Sequence, residues 1–392
     1  MSTLRRVAVP VLALSCGAAA AQEEERPAPR RSFFAPAPRS PEVDGEGRIT
    51  FRVRAPEAEA VLVARDGAEP APMQKGADGV WSLTTEPLPP DVYPYRFVVD
   101  GLMIADPSNP EIKHILPGGN QSLAHVPGPT SLSWEVGDVP RGVVHHHFYR
   151  SGVVGEDRDY YVYTPPGYAH DAEQPYPVLF LLHGVTDDAS AWTTAGRAHV
   201  ILDNLIARGE AVPMVMVNTL GYGSPAARDG FAGMIEPNGQ KAFGVSLVEE
   251  VLPRVEADYR VAADRERRAI AGLSMGGTQA LRIGLNHLDR FAWVASFSGA
   301  FSMFSGGGLN DAVLAGEFPG LEADAVNPKL RLLWIACGVD DFLIQPNRQL
   351  RDWLEARGVE HHYHESEGAH TWMVWRRYLT ELAPQLFRAA AD

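Results

Sequence analysis

The residues with the clearest chemical meaning surround Ser274. A short apolar run ends in Gly272-Leu273-Ser274-Met275-Gly276, which matches the spacing G-x-S-x-G. In this pattern the serine occupies a sharp turn between a strand and a helix, and glycines without a Cβ let the turn form and the helix pack closely. The turn also aims the backbone N–H of Met275 at a developing oxyanion. A simple Gly-Ser turn would give the same five letters, so a nucleophilic role for Ser274 depends on its partners.

A serine nucleophile needs a base to take its proton and an acid to orient that base. Asp340 and Asp341 follow a run, Leu332 to Ala336, that predicts a buried strand, and His370 follows later in a loop before a predicted helix. The order serine, aspartate, histidine along the chain is the order used by α/β-hydrolases. Loops that leave parallel strands meet at the carboxyl edge of the sheet. The sequence therefore predicts Ser274, one of the two aspartates and His370 at one site.

Other histidines offer competing interpretations. His362 and His364 are alternative bases, but their spacing places them on one face of a predicted strand rather than in a loop. The run His145-His146-His147 suggests a metal site, yet adjacent strand residues point to opposite faces and cannot all converge on one ion. We therefore expect His370 to be the base, and we expect no metal site.

The elements that must position these residues form a repeating pattern. Apolar runs suited to buried strands alternate with amphipathic helical segments from about residue 143 to the C-terminus at residue 392. The predicted strands are Tyr160 to Thr164, Pro177 to Leu182, Met214 to Val217, Ala269 to Gly272, Trp293 to Phe297 and Leu330 to Ala336. Such alternation predicts an α/β fold, the α/β-hydrolase, with a mostly parallel sheet and helices on both faces.

A different pattern precedes this region. Between residues 44 and 130, short stretches of alternating apolar and polar residues recur without a helical segment, as in Ile49 to Val53 and Tyr93 to Val99. Asp100-Gly101 adds a hairpin signal. The pattern predicts a small all-β sandwich, and residues 131–142 are predicted to connect it to the α/β-hydrolase.

The N-terminal residues have the composition of an export signal. Arg5 and Arg6 precede an apolar run and a small-residue tract that ends at Ala21, which predicts a signal peptide over residues 1–21 and a periplasmic or extracellular protein. A lipoprotein anchored at Cys16 is the alternative. Residues 22–43 are rich in Pro, Ala, Arg and Glu and predict a flexible linker.

Composition and charge exclude several classes of partner. The 392-residue chain has 45% hydrophobic and 21% charged residues, which is typical of globular domains. Its formal net charge of −14 argues against nucleic acid or an anionic membrane as the main partner. The apolar run in the signal is too short to span a bilayer. Cys337 is the one cysteine outside the signal, so no internal disulfide is expected.

Four segments together resemble the esterase D-like group that contains the feruloyl and acetylxylan esterases of carbohydrate esterase family 1. They are Tyr163-Thr164-Pro165-Pro166-Gly167-Tyr168, Leu181-Leu182-His183-Gly184, Gly272-Leu273-Ser274-Met275-Gly276-Gly277 and Gly368-Ala369-His370-Thr371-Trp372. The predicted sandwich, in Gly79-Val80-Trp81 and Tyr93 to Asp106, resembles immunoglobulin-like domains of the family 48 carbohydrate-binding-module type. That second resemblance implies either a glycan contact or a passive spacer.

The first resemblance implies a role for several residues. Ser274 would be the nucleophile and His370 the base, and the family's Gly-x-x-Asp loop, counted from Gly338, selects Asp341 over Asp340. The backbone N–H groups of Met275 and Val185 would form the oxyanion hole.

The same resemblance implies roles for three further residues. His183 would brace the oxyanion loop, with a catalytic role as the competing interpretation. Trp192 and Trp372 match positions near the acyl or sugar pocket, although a tryptophan is often part of a core instead.

The implied activity is a serine esterase without metal or organic cofactor, acting on acylated plant polysaccharide such as xylan. Two alternatives stay open: a siderophore esterase of the same fold, and a non-catalytic glycan-binding protein with a degenerate hydrolase domain. An exopeptidase shares the order of the three catalytic residues but usually carries a larger accessory domain. The sequence leaves the acyl group and the oligomeric state open.

Overall fold

Ten short strands near the N-terminus form two antiparallel sheets. The structure is a computed structural model and describes residues 37–301 and 309–388. The strands are β1 Glu42–Val43, β2 Ile49–Arg54, β3 Val61–Arg65, β4 Ala71–Pro72, β5 Gln74–Lys75, β6 Val80–Thr84, β7 Asp91–Val99, β8 Leu102–Ile104, β9 Ile112–Lys113 and β10 Gln121–Val126. One sheet has the order β1-β2-β6-β5, and the other has the order β4-β3-β7-β10-β9 with β8 paired to β7.

Alternating side chains build the core between these two sheets. On β2, Ile49, Phe51 and Val53 are buried, while the residues between them are only partly covered. Phe51 meets Tyr95 of β7 with ring centroids 4.5 Å apart. A half-buried antiparallel strand needs this period-two pattern. The predicted all-β sandwich is therefore confirmed.

The predicted linker ends earlier than the sequence indicated. Glu42 and Val43 form β1 and pair with Thr50 and Ile49 of β2, although both lie within residues 22–43. A two-residue strand is too short to show periodicity, so the sequence carried no signal for it. The predicted signal peptide, Cys16 and most of the linker lie outside the described residues.

An eight-stranded sheet follows the sandwich. Its strands are β11 Val143–Arg150, β12 Asp157–Thr164, β13 Val178–Leu182, β14 Val215–Thr219, β15 Arg268–Gly272, β16 Trp293–Phe297, β17 Leu332–Gly338 and β18 His362–Ser366. They lie in the order β11-β12-β14-β13-β15-β16-β17-β18. Strands β13 to β18 run parallel, whereas β11 and β12 are antiparallel to their neighbours. Since β15, β17 and β18 are parallel, the loops that follow them open at one edge.

Helices cover both faces of this sheet. They are α1 Ala198–Ala207, α2 Phe231–Met234, α3 Pro237–Ser246, α4 Leu252–Asp258, α5 Met275–Asn286, α6 Asp311–Glu317, α7 Ala323–Val326, α8 Ile344–Ala356 and α9 Trp372–Leu382. Leu179 and Leu181 of β13 pack with α1 and α9, while Val178 and Phe180 pack with α3, α4, α5 and α8. This two-sided burial explains the continuous apolar runs and confirms the predicted α/β-hydrolase fold. None of the helices in the described part of the chain has the length and apolarity needed to span a bilayer.

A buried ion pair joins the sandwich to the α/β-hydrolase part. Asp91 of β7 accepts hydrogen bonds from Nε and Nη2 of Arg376 on α9, at 3.0 and 2.5 Å. Both residues are fully buried. A buried charge is tolerated only when it is paired and hydrogen-bonded, so this contact fixes how α9 meets the sandwich.

Candidate active site

The turn between β15 and α5 holds Ser274 in a conformation that L-residues rarely adopt. Its φ is +53° and its ψ is −115°. A Cβ on Gly272 would collide with the carbonyl oxygen of Gly276, and a Cβ on Gly276 would lie 2.5 Å from that of Leu182. These two positions therefore require glycine. Such local strain is a common feature of functional turns.

A hydrogen-bonded chain links Ser274 to His370 and Asp341. Nε2 of His370 lies 3.0 Å from Oγ of Ser274, and Nδ1 lies 2.8 Å from Oδ2 of Asp341. A carboxylate can only accept, so Nδ1 carries the proton and its N–H donates a hydrogen bond to Asp341. Nε2 of the neutral ring is then free to accept the hydrogen bond that the serine hydroxyl donates. This arrangement can deprotonate Ser274 as it attacks an electrophile.

The geometry distinguishes the two neighbouring aspartates. Asp341 is 2% exposed, and its Oδ1 accepts a hydrogen bond from the backbone N–H of Leu343 at 2.8 Å. Asp340 is exposed, and its backbone N–H donates to the carbonyl oxygen of Gly368. Of the two carboxylates, the one that the structure brings to His370 is Asp341.

The alternative bases lie elsewhere. His362 and His364 are on β18, where their rings lie 6.2 and 6.1 Å from the ring of Trp334. His364 also lies 3.4 Å from the carboxylate of Glu381. Strand geometry thus places both rings on the face of the sheet that Trp334 occupies, whereas the loop after β18 lets His370 reach the serine.

The loop after β13 passes directly beside Ser274. We call residues 183–187 the oxyanion loop. A Cβ built on Gly184 would lie 3.6 Å from Cβ of Ser274. Within residues 37–301 and 309–388, no protein atom accepts a hydrogen bond from the backbone N–H of Val185 or Met275. Both predicted donors are therefore available to a ligand next to the serine.

His183 supports this loop. Its Nδ1–H donates to the carbonyl oxygen of Gly184 at 2.8 Å, and its Nε2 accepts from the backbone N–H of Gly221 at 2.8 Å. Burial lowers the pKa of His183, which keeps the ring neutral as these two bonds require. Because both ring nitrogens are engaged, the geometry favours bracing over a catalytic role.

A cavity of about 450 Å³ opens beside Ser274 and His370. Aromatic side chains line one part of it, and they are Phe231, Phe342, Trp372 and Trp375. The sandwich contributes mainly polar side chains to the same cavity, and these are Asp66, Arg96, Lys113, Ile115 and Gln121. A separate cavity of about 400 Å³ between α3, α5 and α6 includes neither Ser274 nor His370.

The structure separates the two tryptophans that the sequence predicted as binding residues. Trp372 lines the cavity with only a small part of its surface, since the residue is 2% exposed. Trp192 has no exposed surface, packs edge to face against Trp372 at 5.1 Å, and donates its indole N–H to the carbonyl oxygen of Leu182. Trp192 therefore supports the cavity wall from behind and does not reach a ligand, which corrects the prediction for this residue.

Sequence reasoning missed two aromatic rings beside His370. Phe342 is 67% exposed, and its ring lies 4.7 Å from the imidazole. Trp375 meets the same imidazole edge to face at 4.8 Å. Trp375 follows Trp372 by one helical turn, so the i, i+3 spacing was an available signal. The sandwich residues of the cavity carried no such local signal.

In the described parts of the chain, no group of three or more His, Cys, Asp or Glu side chains is arranged to hold a metal ion. The three adjacent histidines of β11 have separate partners. His145 contacts Thr164, His146 contacts Asp159 and His147 contacts Tyr259.

Comparison with known proteins gives the family. A family model described as "Putative esterase" matches residues 151–386, which is more than half of the chain. The chain belongs to this esterase family. The matched region contains the whole hydrogen-bonded chain of Ser274, His370 and Asp341.

One relative of this chain carries two activities in its name. The endo-1,4-beta-xylanase/feruloyl esterase of Xylanibacter ruminicola is 29% identical over 371 residues, which cover 89% of this chain and 46% of that protein. The chain thus spans about half the length of this relative.

Solved structures share the fold of the esterase. A ferulic acid esterase is 28% identical with a TM-score of 0.53, over 62% of this chain and 97% of that one. An enterobactin esterase from Shigella flexneri is 22% identical with a TM-score of 0.66, over 87% of this chain and 93% of that one. At that identity the second likeness concerns the fold alone.

Proposed function

We propose that this esterase is an exported serine esterase that releases feruloyl or acetyl groups from xylan fragments. Ser274 is its nucleophile, His370 its general base and Asp341 the acid that orients the base. The observation that carries this proposal is the pair of hydrogen bonds from Ser274 to His370 and from His370 to Asp341. Export rests on the signal-like sequence of residues 1–21.

The reaction follows from the hydrogen-bonding pattern. As Oγ of Ser274 attacks the ester carbonyl, its proton passes to Nε2 of His370. The backbone N–H groups of Val185 and Met275 stabilise the oxyanion, and Asp341 stabilises the imidazolium. His370 then gives the proton to the departing alcohol oxygen. Water, deprotonated by the same Nε2, attacks the acyl-enzyme, and collapse of the second tetrahedral intermediate returns the proton to Ser274.

The substrate class has separate support. The Xylanibacter ruminicola relative, 29% identical, has feruloyl esterase in its name, and the solved structure at 28% identity is named ferulic acid esterase. Phe342 lines the cavity beside Trp372 and Trp375 and is 67% exposed, so its ring can pack against a planar aromatic acyl group.

A siderophore ester is the second candidate. Arg96 and Lys113 bring cationic groups to the cavity, and cationic groups favour an anionic ligand such as a catecholate. The paired state of Lys113 weakens this argument, since its ammonium already contacts Asp187. A non-catalytic glycan-binding protein would not need the Ser274 to His370 hydrogen bond, which argues against that alternative.

We expect a hydrolysis panel to separate these substrates. Methyl ferulate, acetylated xylan and a catecholate siderophore ester are compared by kcat/KM, with the Ser274→Ala variant as the blank. We expect the feruloyl or acetyl substrate to exceed the siderophore ester by about tenfold or more, because one misplaced polar or charged contact costs at least that factor. A siderophore ester as the fastest substrate would overturn the proposed substrate class. Retention on insoluble xylan without turnover of any ester would instead favour the glycan-binding alternative.

A further inference from the structure

The oxyanion loop does not rest on the α/β-hydrolase part alone. Lys113, on β9 of the sandwich, forms an ion pair through Nζ with Oδ1 of Asp187. Each of the two side chains is only 5% exposed. A buried pair of this kind holds one geometry because leaving either charge unpaired in the interior is costly.

A second contact from the same sandwich segment lies one residue closer to the oxyanion donor. The backbone N–H of Leu116 donates to the carbonyl oxygen of Thr186 at 2.7 Å. Thr186 has a φ of +69°, a conformation that a β-branched residue adopts only when its surroundings enforce it. The hydrogen bond from Leu116 helps to hold this strained residue, which directly follows Val185.

The α/β-hydrolase part holds the opposite side of the same loop. The hydroxyl of Tyr222 donates to the carbonyl oxygen of Asp187 at 2.9 Å, and His183 bonds to Gly184 and Gly221. The two residues before Val185 are thus anchored from the hydrolase side. The two residues after it, Thr186 and Asp187, are contacted from both sides, since the backbone of Thr186 also hydrogen-bonds to the hydroxyl of Tyr222.

Lys113 is itself held in place within the sandwich. Its Nζ donates to Oε1 of Gln121 at 3.3 Å, and Nε2 of Gln121 donates to Oδ1 of Asp66 at 3.0 Å. Lys113 therefore has little freedom to follow the oxyanion loop if the loop moves. A rigid partner of this kind fixes the position of a loop more strongly than a flexible surface lysine would.

We infer that the sandwich contributes to catalysis by positioning the oxyanion loop. Lys113 is the positioning residue, and it keeps the N–H of Val185 directed at the oxyanion. This inference rests on the proposed serine esterase function. It assigns the sandwich a role other than spacer or glycan-binding module. The buried pair between Asp91 and Arg376 already joins the two parts of the chain, whereas the Lys113 contact acts on the oxyanion loop itself.

The test compares Lys113→Met with the double variant Lys113→Met/Asp187→Asn, which removes both charges of the ion pair. In both we expect kcat for an aryl acetate to fall by about 10- to 100-fold, because acylation and deacylation both use the oxyanion hole. We expect KM to change by about twofold or less, since the ground-state ester makes weaker use of these donors. Affinity for phenylboronic acid, which forms a tetrahedral adduct with a serine hydroxyl, should fall in parallel with kcat. Lys113→Arg should restore most of the rate.

Two controls separate positioning from simple loss of structure. Lys75→Met makes the same substitution on an exposed strand of the sandwich and should leave kcat unchanged. Asp91→Asn removes the carboxylate of the sandwich that pairs with Arg376 and Arg377 of the α/β-hydrolase part. It should lower the unfolding temperature while leaving kcat and boronate affinity of the folded protein unchanged.

Two results would overturn the inference. One is a wild-type kcat in folded Lys113→Met. The other is full recovery of kcat in the double variant, which would mean that the single variant suffered only from an unpaired buried charge. Ser274→Ala is measured alongside: if that variant stays active, the proposed function itself fails, whereas an inactive Ser274→Ala with an unaffected Lys113→Met rejects this inference alone.

Discussion

Ser274→Ala is expected to lose ester hydrolysis by on the order of 10⁶-fold in kcat while keeping its fold. The variant removes the nucleophilic hydroxyl, whose Oγ lies 3.0 Å from Nε2 of His370. Ser274 is only 3% exposed. The substitution removes one hydroxyl and no carbon atom from this buried position, so the fold should be kept. Hydrolysis of p-nitrophenyl acetate and the thermal unfolding temperature measure the two halves of this expectation.

A matched control for this substitution is Ser246→Ala on α3. Ser246 is also buried, but its hydroxyl donates to Glu250 and has no contact with His370. We expect near wild-type kcat for this control. A kcat above about one hundredth of the wild-type value in pure Ser274→Ala would exclude Ser274 as the nucleophile. The remaining groups of the site support a much smaller kcat than that.

Asp341→Asn is expected to lower kcat by about 10⁴-fold, while Asp340→Asn changes it by about twofold or less. The loss for Asp341→Asn follows from a hydrogen bond of the backbone N–H of Leu343, which donates to Oδ1 of Asp341. Because this N–H needs an acceptor, an asparagine would place its side-chain oxygen there. The amide of an asparagine would then turn its NH₂ group toward Nδ1 of His370. That contact favours the imidazole tautomer with the proton on Nε2, which cannot accept the proton of Ser274.

The neighbouring residue provides the control for this prediction. Asp340 undergoes the same loss of charge one position away, but its side chain is exposed and its carboxylate makes no hydrogen bond to His370. The two variants are compared by kcat for one ester at one pH. Equal losses in both would mean that the negative charge of the loop matters more than the hydrogen bond to His370. A larger loss in Asp340→Asn would reverse the assignment of the acid.

Local sequence patterns anticipated much of the fold. Strands buried on both faces appear as continuous apolar runs, as in Val178–Leu182, and half-buried strands appear as alternation, as in Ile49–Arg54. The turn at Ser274 was predictable because a Cβ at Gly272 or Gly276 would clash with backbone. Each of these signals depends on a residue and its near neighbours in the chain.

Features that depend on tertiary packing could not be predicted in this way. The spacing of Asp340 and Asp341 does not tell which of them faces His370, because the turn after Gly338 decides the direction of each side chain. Residue type likewise could not separate Trp192 in the core from Trp375 beside the imidazole.

The contribution of the sandwich to the cavity is the largest feature beyond the reach of the sequence. Lys113 and Asp187 are far apart in the chain, and neither belongs to a motif. The pairing arises only when β9 packs against the oxyanion loop. A resemblance to glycan-binding domains gave no indication of such a contact, since it concerns the fold of the sandwich and not its neighbour.

The most direct test of the central claim is covalent labelling with diisopropyl fluorophosphate, followed by peptide mass mapping and an activity assay on the same sample. We predict one diisopropylphosphoryl group on Ser274, loss of esterase activity in proportion to labelling, and no adduct at this position in Ser274→Ala. A label on a different residue that accompanies inactivation, or full activity in a protein labelled completely at Ser274, would contradict the proposed catalytic chain of Ser274, His370 and Asp341.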